Sequence, residues 1–323
     1  MAAAGERAAL RVRGGRRGSL VAGVLVALLA AEAGHEAFGI GGSGLDTFFD
    51  QGVHDFLFFA AAGLCFLRAV TVKAGRGAWT MIGLSLLTSA FGELVWSVFY
   101  AGESPAPFPT AADGFWLAYY PLVGVGLALL VRERIEGFEL DRWIDGIAAA
   151  LIVATPAVAY VFQPVLEESH HGSTLGRAIE LTYPVGDILV LGAVIGIFAL
   201  TAWRPGRMWL LLGLGLATFA IADSVNSVQT IRGIYPQGTY DYVWSLAMLL
   251  IAYAAWQPDP PRAPPVHLVG WREVALPIAC QMVAAGIQVY GIFHHIPESE
   301  RIVTSAILLL VVVQLWVTRP RAL

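Results

Sequence analysis

Lysine is almost missing from this chain. Lys73 is the single one and it lies on a polar turn, so no apolar segment offers an amine for a retinal-type Schiff base. Cysteine is nearly as scarce. Cys65 and Cys280 both fall inside apolar runs, and neither belongs to a Cys-x-x-Cys pair. A disulfide framework is not supported, and both thiols read as small buried hydrophobes. Charge of either sign is thin: 14% of residues are charged, where a soluble globular domain carries about 25%. His-Glu-x-x-His, Gly-x-Ser-x-Gly and the Walker lysine are absent, so metalloprotease, serine-hydrolase and P-loop chemistry have no anchor. Gly124-Val125-Gly126 and Gly213-Leu214-Gly215 lie within apolar runs and read as packing glycines rather than phosphate loops. No catalytic constellation emerges, no cofactor is indicated, and no basic tract beyond the N-terminal arginines suggests nucleic acid.

The chain is rich instead in apolar length. It is 57% hydrophobic, with a mean hydropathy of +0.67. The clearest stretch runs from Tyr183 to Thr230, where two apolar runs flank the basic turn Arg204-Pro205-Gly206-Arg207. Each run is about 20 residues, enough for a helix to cross the hydrocarbon of a bilayer. About ten such spans are expected, centred near Leu28, Ala62, Leu87, Gly124, Val153, Val190, Leu216, Met248, Val283 and Leu309. The predicted fold is all-α: a polytopic bundle over 19–318, after a basic cytoplasmic N-terminus (1–18) and before a short cytoplasmic tail (319–323). With the N-terminus inside, all but Arg177, Arg232 and Arg301 of the 20 basic residues fall on the inner side. The positive-inside rule therefore predicts N-in, C-in. The arginine-rich start resembles a cleavable signal, but the spans that follow orient consistently with an uncleaved first one.

A repeat underlies the spans. Trp79, Trp143, Trp209 and Trp271 each open an apolar run after a basic loop, at nearly constant spacing. Tyr120-Pro121 answers Tyr183-Pro184. Glu93 follows Trp79 at the same distance as Asp223 follows Trp209, and Trp96 and Asn226 match in the same way. The reading is four related hairpins, at about 53–100, 112–163, 179–230 and 240–292, plus first and last spans.

Ionisable side chains within a bilayer are costly and usually face the bundle interior or a cavity. At about 1.5 Å per residue, Glu93 and Asp223 lie in the outer third of their spans. Glu32, Asp187, Tyr120, Tyr183, Trp96 and Asn226 fall at similar heights, as does Trp116 beside Asp113 at an outer helix start. These ten residues are the candidate ligand site, an acidic and aromatic cup open to the exterior over an apolar floor. The alternative role for each acid is inter-helix hydrogen bonding. Histidines also gather outside. Glu32, His35 and Glu36 share a helix face, and His54-Asp55 faces them across a short outer loop. His35 and His54 are the only metal-ligand candidates singled out, and their spacing fits no known ligand pattern.

Several runs, namely Asp113-Gly114-Phe115-Trp116-Leu117-Ala118-Tyr119-Tyr120-Pro121, Tyr183-Pro184-Val185-Gly186-Asp187, Trp203-Arg204-Pro205-Gly206-Arg207 and Ala255-Trp256-Gln257-Pro258, resemble the N-terminal membrane region of actinobacterial GGDEF/EAL signalling proteins. The resemblance covers most of the chain from the second span onward. It implies a sensory region in the cytoplasmic membrane of a bacterium, attached to or partnering a cyclic di-GMP output domain. The chain reaches Arg319-Pro320-Arg321-Ala322-Leu323 with neither a Gly-Gly-Asp-Glu-Phe nor a Glu-Ala-Leu motif. The expected function is thus a sensory input module without its own catalysis, working through a GGDEF/EAL or kinase partner, with a second copy of the chain as a further expected partner. A small-molecule transporter is the second reading, and a ligand-free scaffold the third. Buried acids suit a transporter, but transport sites lie nearer the midplane.

Overall fold

The computed structural model describes residues 15–103, 107–134, 174–201, 205–231 and 239–258, with isolated positions between 282 and 309. Among the described residues every regular element is helical. The helices are α1 (Arg16–Phe38), α2 (His54–Thr71), α3 (Arg76–Phe99), α4 (Ala111–Arg134), α5 (Thr174–Leu200), α6 (Gly206–Ile231) and α7 (Tyr242–Ala255). A single 3-10 turn, Ser43–Leu45, and a π-helical stretch, Thr47–Val53, lead into α2. Six of these segments are long and apolar enough to cross a membrane, and α7 is a shorter apolar helix. The chain is therefore a multi-pass membrane protein. Seven of the ten expected span centres fall on these helices. Val153 and Val283 lie outside the described residues, and Leu309 is an isolated described position.

Local chemistry explains the boundaries. Gly39 and Gly75 adopt the left-handed conformation at φ 65° and 69°, which a glycine enters without steric penalty. Gly39 ends α1, and Gly75 makes the tight turn between α2 and α3. At the start of α4, Asp113 accepts the Thr110 backbone N–H at 2.7 Å and its hydroxyl at 2.9 Å. This is the reciprocal half of a capping box. Pro121 and Pro184 sit inside α4 and α5, as bilayer helices allow when neighbours or local adjustment satisfy the freed carbonyl.

Helices α2 to α7 form a ring. Each packs on its successor, and α7 returns to α2. Helix α1 lies outside, against α7, α2 and the π-helical stretch. Phe58, Trp79, Ile82, Leu86, Val123, Leu127, Leu216, Met248 and Ile251 fill the ring. Val70, Leu189 and Ile221 point outward and are exposed, as a lipid-facing surface requires. Gly126 and Gly215 are packing glycines. A Cβ on Gly126 would come within 2.6 Å of Ile82, and one on Gly215 within 2.9 Å of the Ala247 carbonyl. At the basic end, buried Arg68 donates to the carbonyls of Ala255 (2.8 Å), Ala74 (3.1 Å) and Val72 (3.3 Å). Arg76 donates to Ala69 O at 2.9 Å. Both arginines place positive charge against C-terminal carbonyls of α7 and α2, where the helix dipole favours it.

Candidate functional site

The course of the chain, antiparallel between successive helices except for the parallel pair α4 and α5, brings the end of α1, the start of α2, the end of α3, the start of α4, the start of α5, the end of α6 and the start of α7 to one end. That is the end opposite Arg68 and Arg76. The rare polar side chains converge there into two groups.

The first group centres on His54. Its Nδ1 lies 2.8 Å from Glu32 Oε1, and Ser245 donates to the same Glu32 oxygen at 2.9 Å. His54 Nε2 lies 3.8 Å from Glu93 Oε2. The Trp116 indole donates to Glu93 Oε1 at 2.9 Å, and its ring packs against Trp96 with centroids 6.0 Å apart. Gly92 makes room for that indole, since a Cβ there would lie 2.5 Å from it. Glu32 is fully buried and His54 nearly so. An imidazole held between two carboxylates can serve both as a cation, and such pairing is what makes a buried charge tolerable.

The second group centres on Tyr120. Its hydroxyl lies 2.9 Å from Asp187 Oδ1 and 3.1 Å from Asp223 Oδ2. The Trp244 indole donates to Asp223 Oδ1 at 2.6 Å. Gly186 again makes room, because a Cβ there would come within 2.5 Å of the Tyr120 ring. Beside this group the Tyr183 hydroxyl donates to Asp113 Oδ1 at 2.6 Å. The two groups echo each other. In each, an acid in the last third of a helix takes an indole N–H from the start of the next helix: Glu93 from Trp116, Asp223 from Trp244. Inward along the same helices, Trp79 and Trp209 are both buried.

Of the ten predicted site residues, nine belong to these contacts. Asn226 does not; its amide oxygen accepts Thr230 Oγ1 at 3.2 Å on its own helix. The acids meet their donors directly. His35 stands apart from His54. Its Nδ1 lies 2.9 Å from Ile40 O and its Nε2 3.2 Å from Asp46 Oδ1, with the ring stacked on Phe49. Among the described residues no three His, Cys, Asp or Glu side chains are grouped to hold a metal.

Trp244 and Ser245 escaped the sequence reading, and Glu36 was named there only for the helix face it shares with Glu32 and His35. Trp244 was detectable in principle, as the counterpart of Trp116 after the acid-bearing hairpin. Ser245 carries no such signal. Glu36 accepts the Tyr242 backbone N–H at 2.9 Å, an acid at the N-terminus of α7 where the helix dipole favours it. Next to it, Tyr240 donates to Gln229 at 2.8 Å and stacks on Trp244. Burial, with Asp241 adding to it, pushes the Tyr240 phenol up to about 12 and keeps it a neutral donor. No family model, curated protein or solved structure matches this chain.

Proposed function

We propose that this chain is the membrane-embedded input module of a signalling protein, with the polar end of the ring as its ligand site. The observation that carries the reading is the direct side-chain contact among helices at that end: α1, α2, α3, α4 and α7 through Glu32, His54, Glu93, Trp116 and Ser245, and α4, α5, α6 and α7 through Tyr120, Asp187, Asp223 and Trp244. A ligand that inserts among these groups must break contacts between helices. It thereby shifts helix positions, provided it binds the two arrangements with different affinity. Carboxylates beside indole and phenol rings suit a small cation or amine, which gains from both charge and ring faces.

On this reading the ring sits in the cytoplasmic membrane of a bacterium, N-in and C-in, with the polar end outward. The four-hairpin, ten-span plan is part of the same proposal; the matching Glu93–Trp116 and Asp223–Trp244 contacts support a relation between the first and third hairpins. The output is a GGDEF/EAL or kinase domain on the cytoplasmic side, and a second copy of the chain is a natural partner for it. The transporter reading is less well supported. Among the described residues, the ring below the acids is filled by Leu86, Val123, Leu127, Leu212, Leu216, Met248 and Ile251, which offer a polar solute no route inward.

The test is a thermal-shift screen of the purified protein in lipid nanodiscs against small amines and monovalent cations. A ligand should stabilise the wild type and lose its effect in Glu93→Ala and in Asp223→Ala. Undiminished stabilisation of both variants would remove the acids from the site.

A further inference from the structure

The Tyr120 group is one hydrogen short. A phenol carries one hydrogen and can donate it once, yet Tyr120 Oη stands within hydrogen-bond distance of two carboxyl oxygens, Asp187 Oδ1 and Asp223 Oδ2. One of the two contacts needs a hydrogen from elsewhere. Asp223 is well supplied, because Trp244 serves its other oxygen. Asp187 is not. Its Oδ2 is buried without any partner, and the residue is 2% exposed.

Charge leads to the same place. Among the described residues, the titratable groups facing this site are Tyr119 and Tyr120 from α4, Tyr183 and Asp187 from α5, and Asp223 from α6, while α7 contributes the neutral Trp244. None is a cation. His54, the buried imidazole of the ring, is already engaged by Glu32 and Glu93. Two ionised carboxylates sharing one hydroxyl in an apolar bundle would repel each other and leave one buried charge unpaired.

We propose that Asp187 is a proton-binding site. The neutral acid donates its Oδ1–H to Tyr120 Oη, Tyr120 donates its own hydrogen to Asp223 Oδ2, and Trp244 completes the shell of an ionised Asp223. The unpartnered Oδ2 is then the carbonyl oxygen of a neutral acid, which tolerates burial better than a carboxylate oxygen. The two related halves differ in where the proton resides: on the His54 imidazole in one, on a carboxyl in the other. Half-buried Tyr120 and Asp223 give this proton a relay of two hydrogen bonds leading away from Asp187. The inference goes beyond the receptor reading, since a transporter or a scaffold with this geometry needs the same proton.

Infrared spectroscopy of the reconstituted full chain tests it. At neutral pH the wild type should show a carboxylic-acid C=O band that shifts in heavy water. Carbon-13 labelling of the aspartate side-chain carboxyls should move a component of that band. Asp187→Asn should abolish the component, and Glu93→Gln should leave it in place. Tyr120→Phe, which removes the acceptor, should shift its frequency; this arm and the labelled wild type decide the matter even if Asp187→Asn does not fold. A wild type without an aspartate-derived component, a component that survives Asp187→Asn, or one indifferent to Tyr120→Phe would each overturn the assignment.

Discussion

Glu93 and Trp116 show how much one indole N–H can matter. The bond is made to a carboxyl in low-dielectric surroundings, where hydrogen bonds to charged groups contribute about 1.5–3 kcal/mol. A double-mutant cycle with Glu93→Leu and Trp116→Phe, each of which removes the bond, should return a coupling energy in that range. Reversible unfolding in mixed micelles measures it, and a coupling near zero would mean that the contact is not formed in solution. Gly186 offers a second residue-scale prediction. A methyl there meets the Tyr120 ring, which cannot move without leaving Asp187 and Asp223. Gly186→Ala should therefore cost about 1–3 kcal/mol, as overpacking does. Gly124→Ala, which faces open space, should be nearly neutral in the same assay. The acids themselves were readable in the sequence, because few charges occur in apolar runs and each one is conspicuous. Trp116, Tyr120 and Tyr183 were named with them, but the donors Trp244 and Ser245 were not: an indole or a serine in a membrane helix has many unremarkable uses.

Among the elements, α7 depends most visibly on its neighbours. It is short for a spanning helix, with 14 residues, and is held at both ends by other segments. Glu36 binds its first backbone N–H, and Arg68 binds the Ala255 carbonyl near its end. Arg68→Met should keep the packing volume of the stem while freeing three carbonyls. Hydrogen exchange over the last turn of α7 and the turn after α2 should quicken at least tenfold, with the Tyr120 group unaffected. Equal quickening at both ends of α7 would mean that the helix opens as one unit. The sequence reading located α7 from its hydropathy but missed both clamps, because Arg68 and Glu36 lie on helices far away in the chain. It also missed the π-helical lead into α2, whose extra residues per turn leave no mark in apolar periodicity.

For the whole molecule, orientation is the property most open to direct measurement. Lys73 is the only lysine and is exposed on the turn between α2 and α3. An impermeant amine reagent should label this side chain in inside-out vesicles and not in intact cells, with Lys73→Arg as the blank. Labelling from outside would invert the bundle and place the acids on the cytoplasmic side. The multi-pass helical architecture was legible without coordinates, since run length and charge placement are local properties that a bilayer converts directly into spans. The ring was not, and neither was the closure of α7 onto α2, because helix order around a bundle depends on side-chain fit between distant segments.

From the residues alone came the membrane and the helices, both consequences of hydrocarbon thickness and helical rise. Only the folded molecule decided which acid meets which donor, that His54 stands between Glu32 and Glu93, and that Asp187 and Asp223 must share one phenol. Those pairings follow from the rotation and neighbour of every helix, and distant packing sets both.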